Sequence, residues 1–409
     1  MRHRLYAVLA LVCLLVAPAA AQAARTPTYD VDYLVRFLPG EKAADVTIRV
    51  RQGSGSLRTL DLDMPAARYT RIEGDGGVER DGDRVVWDVP DDGGALRYRY
   101  EIDRRRRDGG YDARITDDWV IVRGDSLVPS ARTRTTRGAR SEATLRFELP
   151  ADWGVDTQWE DIDRTSFRVS NPDRSLARPT GWVIAGELGI RRERLDGTLV
   201  SVAAPRGDAM RRNEILAMLN LVLPEMKESF GSLPPKLLIV GAGDPMWRGG
   251  LSAPMSLYMH SARPLISENG SSTLVHEVVH VVTRVRGAGR DRWIGEGIAD
   301  YYGMRLLNQV GMLSDSRYAR AIEWMEDRGK DIDSLEGTLA QGALRARAVI
   351  LFRDLDAEIR EATDGERDLD GVVRELMKKG SVRTADVRAA AEAVLGRPAR
   401  TLDTPLLDY

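Results

Sequence analysis

Two histidines and a glutamate form the pattern most suited to chemistry in this chain, His276-Glu277-Val278-Val279-His280. Residues four apart on a helix differ by about 40° around its axis and by one turn along it, so both imidazoles can reach one ion. Neutral histidine nitrogens suit Zn²⁺. The carboxylate of Glu277 can reach a water beside such an ion without binding the ion itself. The pattern predicts a zinc site with Glu277 as the general base.

A third metal ligand is expected on the following helix, because catalytic zinc usually has three protein ligands and one open position. Glu296 follows His280, and the glycine-rich break at residues 287–289 allows the chain to reverse between them. Asp300 lies one turn beyond Glu296, where its carboxylate can accept a hydrogen bond from the second nitrogen of a metal-bound histidine. We therefore predict His276, His280 and Glu296 as ligands, with Asp300 orienting His276.

Hydrolysis through such a site also needs a donor for the oxyanion that develops on the substrate. His260, Tyr301 and Tyr302 are the candidates, and the sequence does not rank them. Residues 251–258 are expected to form an edge strand that can pair with an extended substrate.

Composition restricts the classes of partner. The chain has 409 residues, with 60 Lys plus Arg against 62 Asp plus Glu. A nucleic-acid-binding protein is expected to show a strong field of one sign, and this balance predicts no nucleic-acid partner. The length allows two or three domains with sizeable cores.

The N-terminal residues have the pattern of a signal peptide. Arg2 and Arg4 precede an apolar run over residues 5–17, and small residues stand at Ala21 and Ala23. We expect residues 1–23 to be removed by cleavage after Ala23. The apolar run is shorter than the roughly 20 residues of a membrane span, so no stable anchor is expected after cleavage. The mature protein is expected to be periplasmic or secreted.

The only cysteine, Cys13, lies within this apolar run. The mature chain would therefore have no disulfide, and its core alone would have to stabilise it.

The remaining sequence divides into regions that position the predicted site. Residues 24–204 alternate apolar and polar side chains between glycine- and aspartate-rich turns, as in an antiparallel β-sandwich. Residues 205–330 combine helical spacing, a short buried strand and the metal pattern, and residues 331–409 are helical. The expected fold class is α+β: a sandwich-like N-terminal domain, a zinc peptidase domain and a helical C-terminal region.

The metal pattern resembles that of the gluzincin metallopeptidases, which include thermolysin. The segment Trp293-x-x-Glu296-Gly297-x-x-x-Tyr301 is similar to the glycyl aminopeptidase and aminopeptidase N families, and Gly342-Ala343-Leu344 resembles their C-terminal helices. The resemblance implies a thermolysin-like domain, a zinc cofactor and peptide or protein substrates.

Three features depart from these families. The tyrosine that often precedes the segment similar to Gly342-Ala343-Leu344 is absent, because Leu339-Ala340-Gln341 stands there. Aminopeptidases of this type carry a glutamate on a strand upstream of the metal helix, and this glutamate holds the free amine of the substrate. Residues 249–254 contain no acid, and Glu268 lies in a predicted loop close to His276. In addition, the spacing from His280 to Glu296 is shorter than in aminopeptidase N relatives. Exopeptidase and endopeptidase activity both stay open.

The sequence thus predicts a zinc-dependent peptidase. A non-catalytic peptide-binding protein on a peptidase scaffold is an alternative. Such a protein would be expected to have lost Glu277 or a metal ligand, and all four residues are present. Hydrolysis of a non-peptide amide or ester is a second alternative, because it uses the same zinc chemistry. The oligomeric state is not determined by the sequence.

Overall fold

The first half of the chain is built from β-strands. The computed structural model describes residues 26–409, so the predicted signal peptide lies outside the described residues. Strand β1 (Thr28–Leu38) buries every second side chain, the period of a sheet with one face on a core. The elements of this half, in chain order, are β1, β2 Ala43–Arg51, β3 Leu57–Asp63, β4 Tyr69–Gly74, β5 Gly77–Asp81, β6 Arg84–Asp88, β7 Gly94–Glu101, β8 Arg104–Arg105, β9 Tyr111–Ile115, β10 Trp119–Arg123, α1 Gly124–Leu127, β11 Ala131–Thr135, β12 Arg140–Glu148, β13 Gly154–Thr157, β14 Glu160–Asp161, β15 Ser166–Val169 and β16 Trp182–Gly186.

These strands form three sheets around one core. The orders are β14-β15-β12-β1-β2-β7-β4 in the largest sheet, β13-β16-β10-β9-β8 in the second and β11-β3-β6-β5 in the third. Trp87 and Phe167 are among the largest fully buried side chains of this core. Almost every pairing is antiparallel, as the turn spacing predicted, but β1 and β12 run parallel. A parallel pair needs a long connection, and here the chain passes through ten other strands before it returns.

The second half is dominated by helices around a smaller sheet. Its elements, in chain order, are β17 Leu188–Leu195, β18 Thr198–Pro205, α2 Arg212–Phe230, β19 Lys236–Val240, β20 Gly250–Ala253, β21 Ser256–Met259, α3 Thr273–Thr283, β22 Arg286–Gly287, α4 Trp293–Gln309, α5 Asp315–Gly329, α6 Gly342–Ala362, α7 Leu369–Met377, β23 Ser381–Val382 and α8 Thr384–Leu395. Short 3₁₀ turns occur at Pro39–Glu41, Arg400–Leu402 and Pro405–Leu407.

The sheet of this half has the order β17-β18-β19-β21-β20, so β20 is an edge strand. Strands β18, β19 and β21 are parallel, and β20 pairs with β21 in a hairpin. Helices α2, α3, α4 and α6 bury their apolar faces in one core with this sheet. None of the described helices is long and apolar enough to cross a membrane.

A separate cluster of buried side chains joins the two halves. Trp182 on β16 packs beside Tyr258 on β21, with ring centroids 5.5 Å apart. Its indole N–H donates to the carbonyl oxygen of Leu251 on β20 over 2.9 Å, and its backbone N–H donates to the hydroxyl of Ser256 over 2.9 Å. The β-rich half therefore holds the β20–β21 hairpin in place.

The α+β fold class is confirmed: sheets dominate the N-terminal part and helices the C-terminal part. The boundary near residue 205 stays a prediction. Strands β17 and β18, which precede it, hydrogen-bond into the sheet of the second half rather than into the N-terminal sheets.

Candidate metal centre

Helix α3 carries both histidines and is buried along most of its length. The hydroxyl of Ser272 accepts a hydrogen bond from the backbone N–H of Val275, which caps the first turn. The helix ends at Arg284, whose positive φ of 55° allows its N–H to reach the carbonyl oxygen of His280. The apolar side chains that anchor the helix are Leu274, Val275, Val278, Val279, Val281 and Val282.

Helix α4 carries the third predicted ligand, and its start is anchored by the end of the chain. The carboxylate of Asp291, which lies just before the helix, accepts hydrogen bonds from the hydroxyls of Thr384 and Tyr409. The Tyr409 hydroxyl also accepts from the indole N–H of Trp293 over 2.9 Å. These contacts, rather than a side-chain cap, hold the first turn of α4.

Glycines in α4 allow its neighbours to approach closely. A Cβ atom at Gly297 would lie 2.9 Å from Cβ of Ala348 and 3.0 Å from the ring of Phe352, both on α6. Gly303 faces the backbone of His276. Glycine weakens a helix interior by up to about 1 kcal/mol relative to alanine, so its presence here reflects the space that packing requires.

The structure brings His276, His280 and Glu296 together, and these three residues are called the metal group below. The two histidine Nε2 atoms are 3.1 Å apart, and the Glu296 carboxylate oxygens lie 3.5 Å from Nε2 of His276 and 3.4 Å from Nε2 of His280. Three ligands about 2.05 Å from one zinc ion in tetrahedral geometry would be separated by roughly 3.3 Å. The group, whose potential ligand atoms all lie within 4.8 Å of one another, therefore fits a zinc ion.

The structure also places Asp300 against His276, as the sequence predicted. Asp300 Oδ1 lies 2.7 Å from Nδ1 of His276. A proton on Nδ1 donates to this carboxylate and leaves a lone pair on Nε2, the tautomer that a metal ligand needs.

In these groups, attraction between opposite charges outweighs burial and sets the direction of each pKa shift. Burial alone lowers the pKa of His276, but the carboxylates of Asp300 and Glu296 outweigh it and raise that pKa to about 10. Burial alone raises the pKa of Glu296, and hydrogen bonds and charge from both histidines hold it well below its usual range. Burial alone raises the pKa of Asp300, but the charge of His276 and its hydrogen bond outweigh burial and lower that pKa. The group therefore binds positive charge strongly.

Glu277 is buried beside the edge strand and outside the ligand set. A Cβ atom at Gly250 on β20 would lie 2.9 Å from Cγ and 3.0 Å from Oε1 of Glu277. The Glu277 carboxylate thus lies against one face of β20, and the absence of a side chain at Gly250 leaves room for it.

The three candidate oxyanion donors are not brought to the metal group. The hydroxyl of Tyr301 donates to Asp356 over 2.7 Å, and the hydroxyl of Tyr302 donates to Asp370 over 2.6 Å. At 100° per residue these tyrosines point away from the side of α4 that carries Glu296. Both hydroxyls tie α4 to α6 and α7, and the oxyanion role expected for them stays a prediction.

His260 is likewise directed to other partners. Its side chain is 1% exposed; Nδ1 accepts from the backbone N–H of Ala262 over 3.2 Å, and Nε2 lies 3.4 Å from the carboxylate of Asp244. Burial lowers its pKa, although the charge of Asp244 opposes this. The geometry supports a structural role for His260 at the end of β21.

Arg345 is a site residue that the sequence reasoning missed. Its Nε lies 2.7 Å from Oδ2 of Asp300, and its Nη1 lies 3.8 Å from the Glu296 carboxylate. It directly follows the segment Gly342-Ala343-Leu344 at the start of α6. Its position next to that segment was the only sign in the sequence that Arg345 belongs to the site, because nothing local shows that α6 packs against α4.

A cleft of about 1050 Å³ opens beside His280 and Glu296. One wall comes from the β-rich half, including residues 130–131 and 170–176, and another comes from the β20–β21 turn at residues 252–255. The loop between α3 and α4 completes it. The metal group therefore faces a cavity large enough for a peptide segment.

The comparisons with known proteins agree with this arrangement. No protein family model and no curated protein matches the sequence. Among solved structures, an aminopeptidase N family protein from Idiomarina loihiensis is similar with a TM-score of 0.66 and 14% identity, over 90% of this chain and 72% of that one.

A mutant of an M1 zinc metallopeptidase from Deinococcus radiodurans is similar with a TM-score of 0.59 and 17% identity, over 93% of this chain and 92% of that one. Identities this low carry the fold and not the activity. The chain therefore shares its fold with these two proteins of the aminopeptidase N and M1 metallopeptidase families.

Proposed function

We propose that the protein is a zinc-dependent peptidase that hydrolyses peptide bonds with Glu277 as its general base. The observation that carries this proposal is the convergence of three ligand side chains, whose nitrogen and oxygen atoms approach to between 3.1 and 3.5 Å, beside a buried glutamate that is not one of them. The fold of the structural neighbours, both peptidases or peptidase relatives by name, supports it.

His276, His280 and Glu296 would hold the ion, and Asp300 would keep the His276 ring in the tautomer that leaves Nε2 free. A zinc ion held there would supply Lewis-acid chemistry: it would lower the pKa of a water ligand to roughly 7 and polarise the scissile carbonyl. Glu277 takes a proton from the attacking water and delivers it to the leaving amine.

The edge strand β20 would orient the substrate. Its inner side pairs with β21, and its outer side is the free edge of the sheet. An extended peptide can pair with such an edge through backbone hydrogen bonds, which hold the scissile bond in one register. Because Gly250 on this strand contacts Glu277, a peptide in that register would pass the general base.

The proposed site of action is outside the cytoplasm, in the periplasm or medium. This rests on the signal-peptide pattern of residues 1–23.

The test combines metal analysis with digestion of a peptide library read by mass spectrometry. The mature protein should bind about one zinc ion per chain and cleave peptides, and Glu277→Gln should lower turnover by about 10²- to 10⁴-fold while zinc stays bound. His280→Ala should lose both zinc and activity. Glu228→Gln, an exposed glutamate on α2, is the matched control and should behave as wild type.

The outcomes separate the alternatives. A protein that binds zinc and peptides but cleaves nothing is a binding protein on a peptidase scaffold. A protein that cleaves only amide or ester model substrates is a hydrolase of another class. Zinc content well below one per chain that added zinc does not restore would contradict the metal site itself.

A further inference from the structure

The cleft beside the metal group is strongly basic. Whereas the whole chain has 60 basic and 62 acidic side chains, the acids that line the cleft are Asp173 and the metal-ligand candidate Glu296. Its basic side chains are Arg174, Arg178, Arg284, Arg286 and Arg292. The excess of positive charge is thus a local property of this cavity.

Most of this charge is uncompensated. Arg178 is half-buried and donates to the backbone carbonyl oxygens of Asp125 and Val128. Within residues 26–409, the other four arginines form no salt bridge, and their side chains are exposed. In a low-dielectric cleft such charges attract anions more strongly than the same charges on an open surface.

Two of these arginines are placed directly by the metal helices. Arg284 follows His280 by one helical turn at the end of α3, and Arg292 precedes Glu296 by one turn at the start of α4. One turn spans about 5.4 Å, and an extended peptide advances about 3.3 Å per residue. Allowing for the length of the arginine side chain, a group bound by either residue would lie roughly two to four residues from the scissile bond.

The β20–β21 turn offers no carboxylate for a free amine. The residues of the β20–β21 turn that line the cleft, Ser252 to Met255, include no acid. A substrate ammonium group in the cleft would meet mainly arginines, whereas a carboxylate would meet several donors that can bind it with two parallel hydrogen bonds.

We infer that the cleft selects acidic peptide segments, with Asp or Glu side chains within a few residues of the cleaved bond, bound by Arg284, Arg286 and Arg292. This inference rests on the proposed peptidase function for the cleavage step, but not for binding. An acidic segment in the interior of a chain fits better than a free N-terminus, because the N-terminal ammonium carries the same charge as the cleft.

The first experiment measures kcat/KM on three otherwise identical internally quenched peptides that carry Glu, Gln or Lys on both sides of the cleaved bond. We expect the Glu peptide to exceed the Lys peptide by tenfold or more at low salt. The advantage should shrink as salt is raised, because salt screens exposed charges. Equal kcat/KM values for the Glu and Lys peptides would overturn the inference.

The second experiment assigns the preference to the cleft. The triple variant Arg284→Gln, Arg286→Gln and Arg292→Gln should reduce the Glu-to-Lys ratio to within about threefold of unity. The triple variant Arg58→Gln, Arg164→Gln and Arg320→Gln removes the same charge from exposed positions outside the cleft and should keep the wild-type ratio. An unchanged ratio in the cleft variant with normal zinc content would overturn the assignment.

A binding measurement separates this inference from the proposed function. Fluorescence anisotropy of the labelled Glu and Lys peptides on the Glu277→Gln protein requires no catalysis. Selective binding of the Glu peptide, lost in the cleft variant, supports the inference even if no peptide is ever cleaved. Cleavage without any charge preference leaves the peptidase standing and removes the inference.

Discussion

Polar side chains of helix α4 face two different sets of neighbours. Glu296 and Asp300 face the histidines of α3, whereas Tyr301 and Tyr302 face the carboxylates of α6 and α7. In the metal group, the two histidine Nε2 atoms and the Glu296 carboxylate oxygens point at one another, and the pKa of His276 is raised to about 10. Such an arrangement is stabilised by positive charge, whether a proton or a metal ion.

The carboxylates of the C-terminal helices are surrounded by donors instead. Asp356 accepts from Tyr301, from Arg360 and from the backbone N–H of Leu369. Asp370 accepts from Tyr302 and Arg305. Burial of a carboxylate therefore does not distinguish a metal ligand from a structural residue, but the groups that its lone pairs face do. Substitutions on the two sides should separate loss of function from loss of stability.

The largest effect on stability is expected at Glu358, another carboxylate of α6. It accepts hydrogen bonds from the backbone N–H groups of Arg400 and Thr401, from the Thr401 hydroxyl and from Arg397. Burial raises the pKa of Glu358, but these donors outweigh it and lower the pKa from 4.5 to about 2. Glu358→Gln should therefore lower the free energy of unfolding by about 3 kcal/mol at neutral pH.

The sign of the pH dependence follows from the depressed pKa. The stabilisation is present above the unfolded value of 4.5 and is lost as pH falls toward 2, so wild type and Glu358→Gln should converge over that range. Urea unfolding at several pH values measures this. Zinc content at neutral pH should not change in the folded variant, and a difference in stability that persists at pH 2 would contradict the prediction.

A smaller effect, on metal binding rather than on folding, is expected at Asp300. Because it orients His276 over 2.7 Å, Asp300→Ala should weaken zinc affinity roughly 10- to 100-fold. Asp300→Asn keeps a hydrogen-bond acceptor without the charge, so its zinc affinity should lie between those of wild type and Asp300→Ala. Competition with a chelator measures the affinities, and Asp333→Ala, an exposed aspartate, serves as the control. Indistinguishable curves for all four proteins would reject the role of Asp300.

The smallest effect is expected at Tyr302. Tyr302→Phe removes one donor from Asp370, which keeps Arg305, so the free energy of unfolding should fall by only about 1 kcal/mol. The kcat should stay at the wild-type value, since the hydroxyl is turned away from the metal group. A kcat lowered by about 100-fold in a normally folded variant would support Tyr302 as an oxyanion donor. Thermal unfolding and peptide turnover measure the two quantities.

The sequence located the metal group well because its geometry is mostly local. His276 and His280 are joined by one helical turn, as are Glu296 and Asp300, so helical periodicity alone shows which side chains share a face. The interpretation needed only one long-range assumption, that the chain reverses between α3 and α4, and the glycines between them indicated it.

Sequence reasoning was incomplete where packing between distant segments decides. Tyr301 and Tyr302 lie near Glu296 in sequence, but their direction depends on Asp356 and Asp370, which belong to other helices. Arg345 reaches the site only because α6 packs against α4. The basic cleft could not be predicted either, since its arginines come from both halves of the molecule.

The short parallel ladder between β22 and β23 has a consequence for the order of folding. The backbone N–H of Arg286 donates to the carbonyl oxygen of Gly380, and that of Ala288 donates to Val382, so the loop between the metal helices is closed by a segment from much later in the chain. Contacts of this separation form slowly, because a long loop must close first. During synthesis the chain would therefore contain all its candidate metal ligands before it could align them, and zinc capture would be one of the last steps of its maturation.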